Sequence, residues 1–218
     1  MKRLTIRAHL ASPMIATHPL LFDGILYFGV GRLKGREQEG VWIDPKQVYK
    51  TPLPLAKVET HAGWWWAASQ AMPIGGERSA FMHRRTSPAM LADWTNEKSL
   101  NRSTGPDKSL RTPIYYRWRG RFVEWTCVGE PLMVGVLLAQ ISSIGAKVTH
   151  GWGRIERWEV LFKGPSLKEY RSNLYLRHLP VNLGPANDRR ASRNTLPLRP
   201  PYHNRRAALP VYQVRSYK

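Results

Sequence analysis

A glycine-rich segment at residues 144–154 carries residue types suited to holding a phosphate backbone. Its candidate RNA-binding residues are Gly145, Lys147, His150, Gly151, Trp152, Gly153 and Arg154. Glycines permit positive φ angles and a close approach of the main chain to a ligand. The lysine, histidine and arginine add cations or hydrogen-bond donors to the same segment. The pattern therefore indicates a phosphate-binding loop.

The spacing within this segment excludes two better-known phosphate motifs. No Gly-Lys-Ser/Thr sequence ends it, so it is not a Walker loop. The glycines are spaced differently from a dinucleotide fingerprint, and they precede a predicted strand rather than a helix. An ordinary helix-to-strand connection that contains a glycine cap remains the alternative interpretation.

A second set of candidate RNA-binding residues is a group of arginines near the middle of the chain. Its members are Arg84, Arg85, Arg117, Arg119 and Arg121. The last three would share one face of a strand, because alternate strand residues point the same way. Like charges in such a row are destabilising unless an anion lies across them, which favours nucleic acid over a solvated strand face.

Histidine chemistry gives an alternative to simple binding. Seven histidines are present, and none has a partner at a diagnostic spacing. Metal-free RNA cleavage needs a base near the 2′-hydroxyl and a cation on the scissile phosphate. His150 is the catalytic candidate if the protein is an enzyme. The acidic residues are scattered, and Cys127 is the single cysteine, so we expect no metal site, no disulfide and no cofactor.

The whole chain is strongly basic, which narrows the class of partner. It has 34 Lys and Arg against 15 Asp and Glu, a formal net charge of +19 over 218 residues. Such a protein normally binds a polyanion, because phosphate neutralisation releases condensed counterions. No apolar run approaches the roughly 20 residues of a membrane-spanning helix. The absence of a signal-peptide core and the single cysteine predict a reducing, cytoplasmic setting.

Hydrophobic periodicity predicts the elements that position these residues. Strands are predicted at 2–10, 41–43, 53–60, 64–69, 114–128 and 151–162, and helices at 20–33 and 132–143. Gly145 is expected as the cap of the second helix. In the Trp64–Trp66 run, the first and third side chains are expected on one strand face and Trp65 on the other, with at least one in the core.

Two stretches fall outside this regular pattern. Residues 71–112 have no clear period, and we expect a long hairpin arm with an irregular tip. Residues 164–218 hold 11 Lys and Arg, 2 Asp and Glu and 7 Pro, which favours a wrapping extension over a second core. The predicted fold class is α+β, with a ferredoxin-like or RRM-like βαββαβ core. The predicted domain is 1–163, with the arm inserted at about 71–121, followed by the basic Pro-rich extension 164–218.

Two sequence patterns are similar to the RAMP superfamily of CRISPR proteins. One is the glycine segment between a helix and a strand, in which five residues separate Gly145 from Gly151-Trp152-Gly153. The other is Leu10-Ala11-Ser12-Pro13, followed by the Pro-Leu-Leu-Phe-Asp-Gly-Ile-Leu stretch at 19–26. Together they resemble the subunit of type IV CRISPR effector complexes that grips the 5′ handle of the guide RNA (crRNA).

This resemblance implies a role and a set of partners. It implies a ferredoxin-like core and a β-hairpin thumb that wedges between the handle and the next backbone subunit. It also implies a non-catalytic, RNA-binding antiviral defence protein that caps one end of a ribonucleoprotein filament. The large subunit and the protospacer-adjacent motif (PAM) of target DNA would then lie nearby, so DNA contact is expected from the arm or tail.

Two other functions fit the residues. The first is a metal-independent endoribonuclease that processes precursor crRNA, since some relatives in the superfamily cleave it. The second is a ribosome-associated basic protein, which the Pro- and Arg-rich tail would suit but which would not need the glycine segment.

Overall fold

The computed structural model describes a mixed α and β protein built mostly from antiparallel sheets. The described residues are 1–16, 20–37, 52–82, 114–173, 176–183, 191–200, 202 and 207–214. The strands are β1 (Lys2–Leu10), β2 (Met14–Ile15), β3 (Lys57–Thr60), β4 (Gly63–Trp66), β5 (Met72–Met82), β6 (Ile114–Gly129), β7 (Ile155–Leu161), β8 (Leu179–Pro180), β9 (Ala191–Pro197) and β10 (Ala208–Val214). The helices are α1 (Phe22–Glu37), α2 (Pro131–Leu138) and the short α3 (Glu169–Ser172), with a 3₁₀ turn at Val148–His150.

The main sheet places the first strand of the chain in its middle. β1 pairs with β6 on one side and with β7 on the other, and β5 pairs with β6 at the outer edge; every pairing is antiparallel. The short β2 extends the sheet beyond the end of β1 by pairing with the arm portion of β6. The α+β class predicted from the sequence is therefore confirmed.

Helices α1 and α2 cover one face of this sheet. Alternate residues of β1, such as Leu4 and Ile6, are fully buried on that face, as the period-2 pattern predicts. From α1, Phe22 and Leu26 pack into the same cluster, one helical turn apart. The principal hydrophobic core therefore lies between this face of the sheet and the two helices.

A glycine inside α1 is explained by the contact between the two helices. A Cβ atom at Gly29 would lie 2.9 Å from the backbone oxygen of Leu137 in α2. Glycine lowers helix propensity by about 1 kcal/mol relative to alanine, but here it lets the two helix backbones approach closely. Packing therefore overrides the propensity that weakens the helix prediction.

Helix α2 is shorter than the predicted 132–143. It starts at a cap in which the Glu130 carboxylate accepts hydrogen bonds from the amides of Leu132 and Met133, and its C-cap is Ala139. The prediction that Gly145 caps this helix is wrong, because Gly145 lies six positions beyond the C-cap Ala139. The following strand also begins later than predicted, at Ile155, since Gly151 and Gly153 have positive φ angles that interrupt an extended chain.

Strands β5 and β6 form a long antiparallel pair in the described residues. β5 and β6 stay in continuous antiparallel register from Met72, opposite Glu124, to Met82, opposite Ile114. The sequence does not predict β5 as a strand, because Gly75 and Gly76 and several polar residues hide its alternation. The predicted strand at 41–43 and the arm tip lie outside the described residues.

The C-terminal region forms a sheet that the composition does not reveal. β8, β10 and β9 pair in that order and supply Leu179 and Val211 to a second buried cluster. The other buried members of that cluster are Val58 and Trp65 of the β3–β4 hairpin, the adjoining Ala67, and Val128, Tyr170, Leu176 and Leu198. Trp65 points into this second cluster and Trp66 into the main one, while Trp64 packs against Trp66. The alternation predicted for the three tryptophans is confirmed.

A buried ionic network joins this C-terminal sheet to α1. The Arg177 guanidinium donates to the backbone oxygens of Trp66 and Leu198 at 2.6 and 2.7 Å. It lies 3.5 Å from the Asp23 carboxylate, and both side chains are fully buried. The Tyr202 hydroxyl donates to the same carboxylate at 2.7 Å. Burial raises the pKa of Asp23, and Arg177 and Tyr202 oppose that shift.

Candidate nucleic-acid interface

The segment 144–154, here called the glycine loop, packs against the turn between β1 and β2. The amide of Ala146 donates to the Ile15 oxygen at 2.7 Å, and the amide of Gly153 donates to the Pro13 oxygen at 2.9 Å. The Ser12 hydroxyl donates to the Gly151 oxygen and accepts from the amide of Arg154. The loop is thereby fixed at the end of the main sheet from which the arm projects.

Two of its glycines are required by packing. Gly145 has a φ of +88°, and an added Cβ would lie 2.4 Å from the Ile15 oxygen. Gly153 has a φ of +65°, and its Cβ would lie 1.8 Å from the Ile144 oxygen. Gly151, with a φ of +81°, has open space around the same position. Close contact with the protein's own main chain therefore explains Gly145 and Gly153.

What the loop presents outward is mainly side chains. Several of its amides donate within the protein, namely those of Ile144, Ala146, His150, Gly151, Gly153 and Arg154. His150 and Arg154 are exposed, and Lys147 and Trp152 are half-buried. Lys147 itself has a positive φ of 61° before the 3₁₀ turn. Cationic side chains held on a rigid loop suit contact with phosphates.

The arginines of the arm begin beside this loop. Arg119 and Arg121 on β6 are both exposed. The backbone of Arg117 is opposite Ile15 in β2, the residue whose oxygen also binds the glycine loop. β2 therefore lies between the loop and the arginine-bearing strand, so the two predicted groups meet at one end of the sheet. Arg84 and Arg85 lie outside the described residues.

The face of the main sheet away from the two helices carries residues that the sequence does not nominate for binding. Arg7 donates to Glu124 at 2.8 Å and lies 3.7 Å from Glu159. His9 contacts Glu159 at 2.9 Å, and this hydrogen bond lowers the pKa of that carboxylate. The Phe122 ring lies beneath the Arg7 guanidinium at 4.6 Å. Only strand register brings these residues together, since they are far apart in the chain.

The described histidines have very different surroundings. His178 is buried, its Nε2 lies 2.9 Å from the Pro197 oxygen, and burial lowers its pKa to about 3. Such a histidine stays neutral and structural at neutral pH. His150 is exposed, and its Nδ1 lies 3.2 Å from the Thr149 hydroxyl. His61 is also exposed, while His18, His83 and His203 lie outside the described residues.

Within the described ranges, His, Cys, Asp and Glu side chains form no group of three that could hold a metal ion. In the same part of the chain, no helix combines the length and apolar character needed to cross a membrane.

Comparison with known families associates the N-terminal part of the chain with type IV CRISPR systems, in agreement with a RAMP-like subunit. The model that matches is that of the CRISPR type IV associated protein Csf3, over residues 2–103. The matched residues run from β1 through α1 and the β3–β4 hairpin into the arm, and the glycine loop lies beyond them. No curated protein matches the chain. The resemblance to a type IV CRISPR-associated protein drawn from the sequence is confirmed.

Proposed function

We propose that this protein is a non-catalytic crRNA-binding subunit that grips the 5′ handle of the guide RNA and caps one end of a type IV CRISPR effector complex. The observation that carries the proposal is the glycine loop, which bears the exposed Arg154 and the half-buried Lys147. Backbone hydrogen bonds fix it at the end of the sheet where β2 pairs with the arginine-bearing strand β6. The family match supplies the type IV CRISPR context. The net charge of +19 fits a polyanionic partner.

The proposal includes a ferredoxin-like core with a thumb. Along the chain, β1, α1, β5, β6, α2 and β7 give the order strand, helix, strand, strand, helix, strand. Their sheet order β5–β6–β1–β7, with both helices on one face, supports that assignment. The β5–β6 arm is the element that would act as the thumb. It would wedge between the handle and the next backbone subunit, near the large subunit and the PAM of target DNA.

Charge removal at the glycine loop tests the binding role. The double variant Lys147→Gln with Arg154→Gln keeps the side chains long and removes two charges. We expect the affinity for the copurifying RNA to fall about tenfold or more, which corresponds to a loss of about 1.4 kcal/mol or more in binding free energy. The slope of log affinity against log salt should fall by about 1.4, because each phosphate contact to a single strand contributes roughly 0.7. Fluorescence anisotropy across a salt series measures both quantities.

The matched control removes the same charge elsewhere. Lys168, the N-cap of α3, and Arg171 within α3 are both exposed and lie outside the glycine loop. Changing both to Gln should leave affinity and salt slope nearly unchanged. Equal losses in the two double variants would indicate a general charge effect and contradict a handle site at the loop.

Incubation with precursor crRNA in EDTA tests the non-catalytic assignment. The proposal predicts intact RNA in the presence of wild-type protein. Defined cuts that disappear in the His150→Ala variant would instead support the endoribonuclease, with the exposed imidazole as base and Lys147 or Arg154 as the neighbouring cation.

A further inference from the structure

One row of side chains crosses four strands on the face of the main sheet that the helices leave uncovered. Ile74 of β5 is opposite Phe122 of β6, Phe122 is opposite His9 of β1, and His9 is opposite Arg157 of β7. Residues opposite each other in antiparallel strands have side chains on the same face. We call these four residues the open row.

Three members of the open row, Phe122, His9 and Arg157, are in contact. The His9 and Phe122 ring centroids are 5.5 Å apart, and an Arg157 guanidinium nitrogen is 3.4 Å from the His9 ring. Ile74 remains 40% exposed, although it is large and apolar. Arg157 is exposed and Phe122 half-buried. The row therefore offers a continuous strip of apolar, aromatic and guanidinium surface.

The neighbouring rows on the same face are occupied. The Arg7 guanidinium is held by Glu124 and Glu159. One step further along the strands, Thr126 accepts a hydrogen bond from the buried Tyr170 hydroxyl, and the Thr5 hydroxyl donates to the Lys163 oxygen. The C-terminal segment thus covers that half of the face. Among the described residues, the open row lies beyond it at the arm end, where the Arg7 guanidinium contacts one side of the half-buried Phe122 ring at 4.6 Å.

The exposed arginines at and near the open row indicate which class of ligand it binds. Arg157 follows Arg154 of the glycine loop by three residues, and both are exposed. A polyanion with flat apolar faces fits this combination better than an apolar protein segment. Unpaired RNA bases stack on aromatic side chains and on arginine planes, while their phosphates meet cations.

We propose that the open row is a stacking platform for unpaired bases of the guide RNA, with Phe122 as the main stacking face and Arg157 beside it. This inference rests on the proposed function, because it assigns the surface that takes the bases of the same RNA. The glycine loop would contact phosphates, and the open row would distinguish RNA that carries bases from a bare sugar-phosphate chain.

An abasic probe separates these two contributions. The full-length protein is titrated with a fluorescein-labelled 12-nucleotide single-stranded RNA and with the same strand made abasic at consecutive internal positions. Both probes carry the same backbone charge. Stacking on an aromatic side chain contributes about 1–3 kcal/mol per base. We therefore expect wild-type protein to prefer the base-containing strand by about fivefold to a hundredfold.

The Phe122→Ala variant should lose this preference, with an unchanged salt slope because no charge is removed. Phe122→Tyr keeps the ring and should retain the preference, which guards against a loss caused by misfolding. Phe162→Ala is the matched control, because Phe162, like Phe122, lies beneath a cation, here Lys2, and is itself exposed. It should bind both probes like wild type.

Three results would overturn the inference. Equal wild-type affinity for the two probes would exclude base stacking while leaving phosphate binding, and so the proposed function, intact. A Phe122→Ala protein with the wild-type preference would place the stacking surface elsewhere. No salt-sensitive binding of either probe by wild-type protein would instead reject RNA binding itself, and the proposed function together with it.

Discussion

Two clusters in this protein contain the same three kinds of side chain in opposite surroundings. Arg7, His9 and Glu159 lie on the uncovered sheet face, where their side chains are 17–32% exposed. In the interior, Arg177 and Asp23 are fully buried, and His178 is 3% exposed. The first cluster adjoins an open surface, whereas the second joins α1 to the C-terminal sheet.

The pKa values of the carboxylates in the two clusters shift in opposite directions. The hydrogen bond from His9 lowers the pKa of Glu159, while burial raises the pKa of Asp23 despite its arginine partner. Removing charge from water is costly even when the charge is paired. Residue type therefore indicates a functional site only when exposure is known. The interior cluster stabilises the contact between α1 and the C-terminal sheet, whereas the exposed cluster lies beside a candidate ligand surface.

The largest predicted effect is the loss of one partner from the buried cluster. Asp23→Ala leaves the Arg177 guanidinium buried without its carboxylate, and removal of one member of a buried pair typically costs about 3–5 kcal/mol. We expect a loss of that size in the free energy of unfolding, measured by urea denaturation followed by tryptophan fluorescence.

The matched change on the uncovered face is Glu159→Ala. Water can solvate Arg7 and His9 after that change, so we expect a much smaller loss of stability. Equal losses in the two variants would remove the distinction between a structural and a surface cluster. Replacing Asp23 and Arg177 together by apolar residues should recover part of the stability lost in Asp23→Ala, because no unpaired charge remains.

A smaller effect concerns pH and His178. The unfolded chain takes up a proton as pH falls below the ordinary histidine pKa of about 6.5, whereas folded His178 stays neutral down to about 3. The unfolded state then binds more protons, so stability decreases as pH falls through this window. Between pH 7.5 and 5, this histidine should account for about 2 kcal/mol of lost stability.

The His178→Gln variant measures that contribution. Its amide can still donate to the Pro197 oxygen, but it cannot take up a proton in this range. We expect a flatter dependence of unfolding free energy on pH than in wild type. Parallel curves for His178→Gln and wild type would show that the buried histidine does not contribute.

Local patterns predict the central part of the fold well. Alternation in Lys2–Leu10 and the apolar spacing of α1 identify the first strand and helix, because both elements pack one face on a single core. The arm is predicted from a long aperiodic stretch followed by a clear strand. The C-terminal sheet is missed, because its high charge and proline content resemble an extension while its few apolar residues fill a distant cluster.

The candidate site is only partly accessible from sequence. The glycine loop is visible because its residues are contiguous, but the packing roles of Gly145 and Gly153 depend on contacts with residues 13–15 and 144. The open row cannot be predicted from the sequence, because only strand register brings its four residues together. A one-residue change of register would move each side chain to the opposite face.

The most direct test is ultraviolet crosslinking of RNA to this protein in the assembled effector complex, followed by mapping of the crosslinked peptides. The account predicts RNA adducts in peptides that contain 144–154 and 119–122, at the arm end of the main sheet. RNA adducts confined to other subunits, or to the α2 and α3 surfaces of this chain, would contradict it.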